Sequence, residues 1–147
     1  KLSIAAALAH HPDLLILDEP TSGLDPVVRS EILDMLLDFI QDERRGVLLS
    51  SHITSDLERI ADYITFIHQG RVIFSEAKDD LLESYGIVHC TKEEAERIDP
   101  ARILGKRRSS FGVEMLVRNR REFLRGHPGM VVDPAGIEEI MTFIARG

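Results

Sequence analysis

The chain has 147 residues, of which 44% are hydrophobic, and its formal net charge is −7. That length suffices for one domain core with a small appendage, and no apolar stretch approaches the ~20 residues that a membrane-spanning helix needs. The acidic balance argues against nucleic acid as the main partner. A single cysteine, Cys90, excludes an internal disulfide and is typical of a reducing compartment. With no secretory leader pattern either, we expect a cytoplasmic protein.

The charge is unevenly distributed along the chain. Residues 1–84 contain 7 Lys and Arg against 16 Asp and Glu, whereas residues 85–147 contain 11 against 9. Such a shift in composition indicates a boundary between two units. We therefore predict one unit over residues 1–86 and a second over residues 87–147.

The first unit alternates helical and strand patterns. An Ala- and Leu-rich helix ends near His11, and LLILD (residues 14–18) is a short apolar run typical of a strand that is buried on both faces. Asp25 followed by Pro26 predicts the N-terminus of a long helix. Residues 47–50 predict a second buried strand. Ser55 and Glu58 have the spacing of a capping box for a short helix.

A hairpin and a final helix complete this unit. YITFIHQGRVIFSE (residues 63–76) predicts two strands that turn at Gln69-Gly70, and a helix follows from about Lys78 to Tyr85. The alternation of helices and strands predicts an α/β fold, a parallel sheet with an antiparallel edge hairpin.

The second unit has the pattern of a small α+β module. Strands are predicted over IVHC, residues 111–117 and residues 130–133. Thr91 and Glu94 have capping-box spacing at the start of a short helix. Asp133-Pro134 predicts the start of the last helix.

The densest cluster of chemically active residues is LLILDEPTSGLDP, residues 14–26. Asp18 and Glu19 follow the first strand directly, and open α/β sheets bind ligands at the carboxyl ends of their strands. An aspartate there suits Mg²⁺, which prefers oxygen ligands from few carboxylates. A neighbouring acid can orient or deprotonate an attacking water. Alone, such a pair could also be no more than a helix cap.

A histidine follows the second strand at the same edge. Ser50, Ser51 and His52 end that strand, and His52 lies 34 residues after Asp18. Because neighbouring parallel strands end at one edge, we expect His52 to lie near the two acids, where it could contact a terminal phosphate.

These motifs resemble those of ABC ATPases in order and spacing. LLILDEP resembles the Walker B motif, SGLD the D-loop and SSH the H-loop strand, and the first helix is similar to the one that follows the ABC signature. The resemblance covers residues 1–84 and implies the C-terminal part of a P-loop NTPase-type parallel sheet. Residues 87–147 resemble the C-terminal extension of some bacterial ABC ATPases that serve ABC-2-type exporters.

The resemblance implies a role for each motif residue. Asp18 would hold Mg²⁺ through water, Glu19 would be the catalytic carboxylate and His52 would contact the γ-phosphate of ATP. Ser22, Gly23, Leu24 and Asp25 would communicate across a dimer with a second ATP-binding subunit. A transmembrane permease subunit would be the other partner, which implies a location at the inner face of the cell membrane.

The chain departs from the family in one respect that affects activity. It contains no G-x-x-x-x-G-K-[ST] loop, no Q-loop and no LSGG signature. We therefore expect a fragment that binds ATP poorly and hydrolyses it negligibly by itself, because phosphoryl transfer depends on positioned phosphates.

Two other functions are compatible with the same motifs. One is an ABC-type ATPase that acts on ribosomes or DNA. Such proteins usually carry two cassettes or long coiled-coil insertions, whereas a compact module follows the motifs here. The other is a non-enzymatic regulatory or dimerisation fragment. The sequence preceding Lys1 would distinguish the three.

Overall fold

The computed structural model describes residues 2–110 and 112–146, with side chains from residue 4 onward. The chain divides into two compact units, of which the first ends at Ala61 and the second begins at Asp62. The sequence pattern places a boundary 25 residues later, at residue 86. Compactness and sequence composition are different criteria, and the assignment of residues 1–86 to one ABC-like segment stays a prediction.

The first unit is a parallel strand pair with helices. Its elements are α1 (Leu2–Ala9), β1 (Leu14–Asp18), α2 (Pro26–Phe39), β2 (Gly46–Ser50) and α3 (Thr54–Ile60). Strands β1 and β2 pair in parallel, and the register places Asp18 opposite Ser50. The strand ends that carry the motifs therefore lie side by side, as predicted.

The core of the first unit lies on one side of this strand pair. It consists of apolar side chains from the helices and from β1: Ile4, Leu15, Ile32, Leu33, Leu36, Phe39 and Ile60. The opposite face is uncovered, with Ile16 72% and Leu48 62% exposed. The predictions that β1 is buried on both faces and that β2 is a buried strand are therefore wrong for this chain, because the described helices cover only one face.

Capping explains where α2 begins. The Asp25 carboxylate accepts hydrogen bonds from the backbone N–H groups of Val27 and Val28, each at 3.1 Å, and Pro26 occupies the first helical position. This confirms Asp25 as the predicted N-cap. The predicted capping box of α3 is wrong, since the helix is capped at Ile53 without a side-chain bond. The Ser55 hydroxyl instead accepts a hydrogen bond from Arg29.

The second unit contains two antiparallel sheets. Its elements are β3 (Tyr63–His68), β4 (Arg71–Ala77), α4 (Lys78–Ser84), β5 (Gly86–Cys90), α5 (Lys92–Ala95), a 3₁₀ turn (Pro100–Arg102), β6 (Ile103–Ser109), β7 (Gly112–Val117), α6 (Arg120–Gly126), β8 (Val131–Pro134) and α7 (Ile137–Arg146). The chain is thus a mixed α/β protein with parallel and antiparallel sheets. Among the described residues, the β3–β4 hairpin forms a sheet of its own instead of extending the parallel pair.

The second sheet of this unit has the strand order β6-β7-β5-β8. One hydrophobic cluster of this unit consists of Val88, Cys90, Ile98, Met115, Val117 and Phe123. The Thr91–Glu94 capping box is confirmed at α5. Strand β6 was not predicted. The predicted start of the last helix at Asp133-Pro134 is wrong, because these residues belong to β8 and the helix begins at Ile137. Of the predicted strand over residues 111–117, Phe111 lies outside the described residues.

Candidate active site

The candidate site begins where β1 and β2 end. Ser50 lies opposite Asp18 in the parallel register, and its hydroxyl donates a hydrogen bond to the Asp18 carboxylate. The next backbone N–H, that of Glu19, donates both to the Ser50 carbonyl and to the Ser50 hydroxyl oxygen, at 3.1 Å each. Ser50 therefore joins the two acids to the end of the second strand.

Glu19 and His52 form the central contact of the site. The Nδ1 atom of His52 lies 2.8 Å from Oε2 of Glu19. The His52 side chain is 70% exposed and that of Glu19 is 35% exposed, so both can be reached from solvent. When Nδ1 donates its proton to the carboxylate, Nε2 stays on the far side of the ring and can contact a ligand.

Glu19 has an unusual backbone conformation. Its φ angle is +47°, in the left-handed region that residues with a Cβ rarely adopt. Such a conformation persists only where neighbouring contacts enforce it, and it is typical of functional sites. Here the two bonds to Ser50 hold the residue from one side, and the Ser22 N–H donates to the Glu19 carbonyl from the other at 3.1 Å.

The D-loop-like residues occupy the turn between Glu19 and α2. Ser22 and Gly23 are exposed, Gly23 has a φ angle of +70°, and the side chain of Asp25 caps α2. The structure thus brings Asp18, Glu19 and His52 together at one edge. Among the described residues, no side-chain hydrogen bond or ion pair joins Ser22 or Asp25 to those three residues.

The oxygen donors at this edge fit a magnesium ion held mainly by other ligands. Among residues 2–110 and 112–146, no group of three or more His, Cys, Asp or Glu side chains is arranged to hold a metal ion. Mg²⁺ in phosphate sites usually binds one or two carboxylates and completes its shell with water and phosphate oxygens. The exposed Asp18 carboxylate is compatible with that mode.

Three contributors to this region were not indicated by the sequence patterns. Thr21 and Asp56 are buried and hydrogen-bonded to each other at 2.6 Å, and Arg29 donates to Asp56 at 2.7 Å. A single polar residue in a loop carries no periodic signal, so no pattern indicated Thr21. Asp56 could have been found by its place four residues after His52, in the first turn of the following helix.

Sequence comparison relates the chain to one class of known proteins. Proteins that match about half of the chain are ATP-binding subunits of ABC transporters, and the matches support an ABC ATP-binding segment here. No protein-family model matches the chain. Within the part of the chain that the structure describes, no helix is long and apolar enough to span a membrane.

Three bacterial proteins illustrate these matches. The lantibiotic transport ATP-binding protein SrtF of Streptococcus pyogenes is 43% identical over 79 residues, which is 54% of this chain and 34% of SrtF. The bacitracin transport ATP-binding protein BcrA of Enterococcus faecalis is 45% identical over 73 residues, 50% of this chain and 24% of BcrA. The ABC transporter ATP-binding protein NatA of Bacillus subtilis is 39% identical over 84 residues, 57% of this chain and 34% of NatA. The chain thus spans about a third or less of these relatives.

Proposed function

We propose that the chain supplies the hydrolytic edge of an ATP-hydrolysing subunit of an ABC transporter. One observation carries this proposal: Glu19 and His52 are 2.8 Å apart beside Asp18, at the common end of two parallel strands. The relatives' names, which describe ATP-binding proteins of lantibiotic, bacitracin and other transport systems, support the same class.

In this proposal each residue of the edge has one task. Glu19 orients the attacking water and accepts its proton, for which an ionised carboxylate is suited. With a proton on each ring nitrogen, His52 donates from Nε2 to the terminal phosphate and from Nδ1 to Glu19, which holds the ring. Asp18 holds Mg²⁺ through water, with Ser50 fixing its carboxylate. The bound Mg²⁺ would neutralise charge on the phosphates of ATP.

The rest of the proposal concerns partners. Ser22, Gly23 and Asp25 lie on an exposed turn, which suits a contact with a second ATP-binding subunit. A transmembrane permease subunit would then couple hydrolysis to transport, with the protein at the inner face of the cell membrane. A role in transport is in keeping with the relatives' names, which describe lantibiotic and bacitracin transport ATP-binding proteins.

The phosphates of ATP need a loop that residues 1–147 do not contain. The backbone N–H groups and the lysine of such a loop position the phosphates. In the experiments below, full-length protein means a polypeptide that includes both this chain and a phosphate-binding loop. The chain of 147 residues alone is expected to show no saturable ATP turnover.

The substitution Glu19→Gln in the full-length protein tests the proposal. The amide keeps the shape of the side chain but cannot accept the proton, so turnover should fall by about 100-fold or more while ATP binding persists. Glu43→Gln makes the same chemical change at an exposed residue outside the site and should leave turnover unchanged. Steady-state phosphate release and calorimetric titration with Mg-ATP measure the two quantities. Wild-type turnover in Glu19→Gln would contradict the proposal.

A further inference from the structure

A polar network with two buried members lies in the first compact unit. Thr21 and Asp56 are each only 2% exposed, and they are the buried polar residues of the described part of the chain. The Thr21 hydroxyl donates to Oδ2 of Asp56 at 2.6 Å, and Nε of Arg29 donates to Oδ1 at 2.7 Å. A second guanidinium nitrogen of Arg29 donates to the Ser55 hydroxyl at 2.6 Å.

The network joins the segments that carry the two site residues. Thr21 lies two residues after Glu19, and Asp56 lies four residues after His52, in the first turn of α3. Arg29 belongs to the second turn of α2, the helix that follows the loop from Glu19 to Asp25, called here the Glu19 loop. The loop and the His52 segment are therefore tied twice, once at the surface by Glu19 and His52 and once in the interior by Thr21 and Asp56.

The Thr21–Asp56 hydrogen bond holds a loop that has few hydrogen bonds within its own backbone. Between Glu19 and Asp25 the backbone makes two hydrogen bonds of its own, from Ser22 N–H to Glu19 and from Leu24 N–H to Thr21 at 3.4 Å. Glu19 must also be held at a φ angle of +47°. A strained residue persists where its surroundings over-determine it, and a buried carboxylate requires fixed donors. Thr21 and Arg29 are those donors, so their positions are fixed together.

We propose that Thr21, Asp56 and Arg29 form a positioning network that sets the distance and orientation of Glu19 relative to His52. None of the three touches the reacting atoms in this proposal; they act through the loop. Their effect on turnover rests on the proposed function, whereas their effect on the loop does not.

The chain provides a matched control for the substitutions. Arg59 of α3 and Asp34 of α2 form an exposed ion pair at 2.5 Å, and Arg59 also donates to Ser30 at 3.0 Å. This pair links the same two helices as Arg29 and Asp56 but does not contact the Glu19 loop. Asp34→Asn thus reports what weakening the α2–α3 contact does by itself.

Amide-resolved hydrogen exchange on the 147-residue chain tests the effect on the loop. Thr21→Val keeps the shape but removes the hydroxyl, so the Ser22 and Leu24 amides should exchange at least about tenfold faster relative to the Leu36 amide of α2. Thr21→Ser, which keeps the hydroxyl, and Asp34→Asn should stay close to wild type. The proposal is overturned if Thr21→Val leaves these amides unchanged or accelerates Leu36 equally, or if Asp34→Asn gives the same local acceleration.

Turnover in the full-length protein separates this inference from the proposed function. Thr21→Val should lower kcat at least about tenfold with the KM for ATP changed by less than about threefold, and Thr21→Ser should restore kcat. If Glu19→Gln is inactive but Thr21→Val and Asp34→Asn both keep wild-type kcat, the network proposal falls and the proposed function stands. If Glu19→Gln turns over like wild type, the proposed function falls, and the exchange result alone decides the network.

Discussion

At the scale of single residues, the site depends on a carboxylate and an imidazole held by backbone geometry. Glu19 is placed by its left-handed φ angle and by two bonds to Ser50, and His52 is placed by its contact with Glu19. The sequence motifs predicted Asp18, Glu19 and His52 at one sheet edge, and the structure places all three there. The sequence did not reveal the bridging role of Ser50, because it arises from register between strands that are far apart in the chain.

Replacing His52 by alanine should lower turnover of the full-length protein. The change removes the partner of Glu19 and the proposed donor to the phosphate. One positioned donor contributes about 100-fold or more in comparable sites, and we expect a loss of at least about tenfold. Steady-state phosphate release measures it, with His10→Ala, an exposed histidine at the end of α1, as the control. Equal rates in the two variants would show that His52 has no part in hydrolysis.

Alkaline pH should destabilise the second unit through Cys90. Burial raises the pKa of this thiol, and the nearby Glu94 carboxylate raises it further. The unfolded chain therefore loses the thiol proton at lower pH than the folded chain. Above about pH 8.5 the free energy of unfolding should fall with rising pH, by at most about 1.4 kcal/mol per pH unit for this one group, until the folded thiol also ionises.

Urea unfolding between pH 7 and pH 10 checks this expectation. Cys90→Ala removes the titrating group and should flatten the part of the profile that Cys90 causes. Burial also raises the pKa of Tyr85; Arg118 opposes this shift and Glu76 adds to it. Tyr85 therefore contributes to the pH dependence of stability at higher pH, in both the wild type and Cys90→Ala. The same pH dependence in Cys90→Ala and wild type would show that Cys90 is not its source.

At the scale of elements, local signals predicted what local contacts determine. The strands β1 and β2, the Asp25 cap, the Thr91–Glu94 capping box and the Gln69-Gly70 turn follow from nearest-neighbour chemistry, and the structure confirms each. The turn residues both have positive φ angles, which suits a tight hairpin. Where a polar side chain has a distant partner, as Ser55 has in Arg29, the local pattern predicted a cap that does not form.

Strand β6 shows why a basic segment escaped prediction. Its central residues Lys106, Arg107 and Arg108 carry no alternation of apolar and polar types. Arg107 donates to its cross-strand partner Glu114 of β7 at 2.6 Å. It also lies over the Phe143 ring, with 4.7 Å between the guanidinium carbon and the ring centroid. Long cationic side chains pack through their stems and pair through their heads. The Phe143 ring belongs to a helix far along the chain, so a short sequence window around β6 does not contain this contact.

Gly105 of β6 allows α7 to approach the sheet. A Cβ atom at this position would lie 2.5 Å from the Phe143 carbonyl oxygen, closer than real contacts permit. Gly105→Ala should therefore destabilise the protein by about 1–3 kcal/mol, because α7 must move away. Gly126→Ala, where an added Cβ meets nothing within 4 Å, is the matched control and should be near neutral. Urea denaturation compares the two, and equal stability would contradict the close approach.

At the scale of the whole molecule, the chain exposes an apolar face on its parallel strands. Leu14, Ile16 and Leu48 lie on that face and are 56%, 72% and 62% exposed. Contiguous apolar surface of this kind favours association between molecules. The 147-residue chain should therefore sediment as concentration-dependent oligomers.

Sedimentation velocity tests that expectation. The double substitution Ile16→Thr with Leu48→Thr reduces the apolar area of this face, and threonine is a β-branched residue suited to strands. It should therefore shift the chain toward monomer. Val27→Thr alters a residue of α2 that is 68% exposed but lies outside this face, and it should leave the distribution unchanged. A monomeric wild-type chain at all concentrations would contradict the prediction.

The division after Ala61 has a consequence for biosynthesis. Every residue of the candidate site and of the positioning network lies between Asp18 and Asp56, within the first compact unit. Polypeptides emerge from the ribosome N-terminus first, and compact units fold in that order. The contact between Glu19 and His52 can thus form while the second unit is still being translated. Errors in folding the later antiparallel sheet would then leave an already assembled candidate site on the nascent chain.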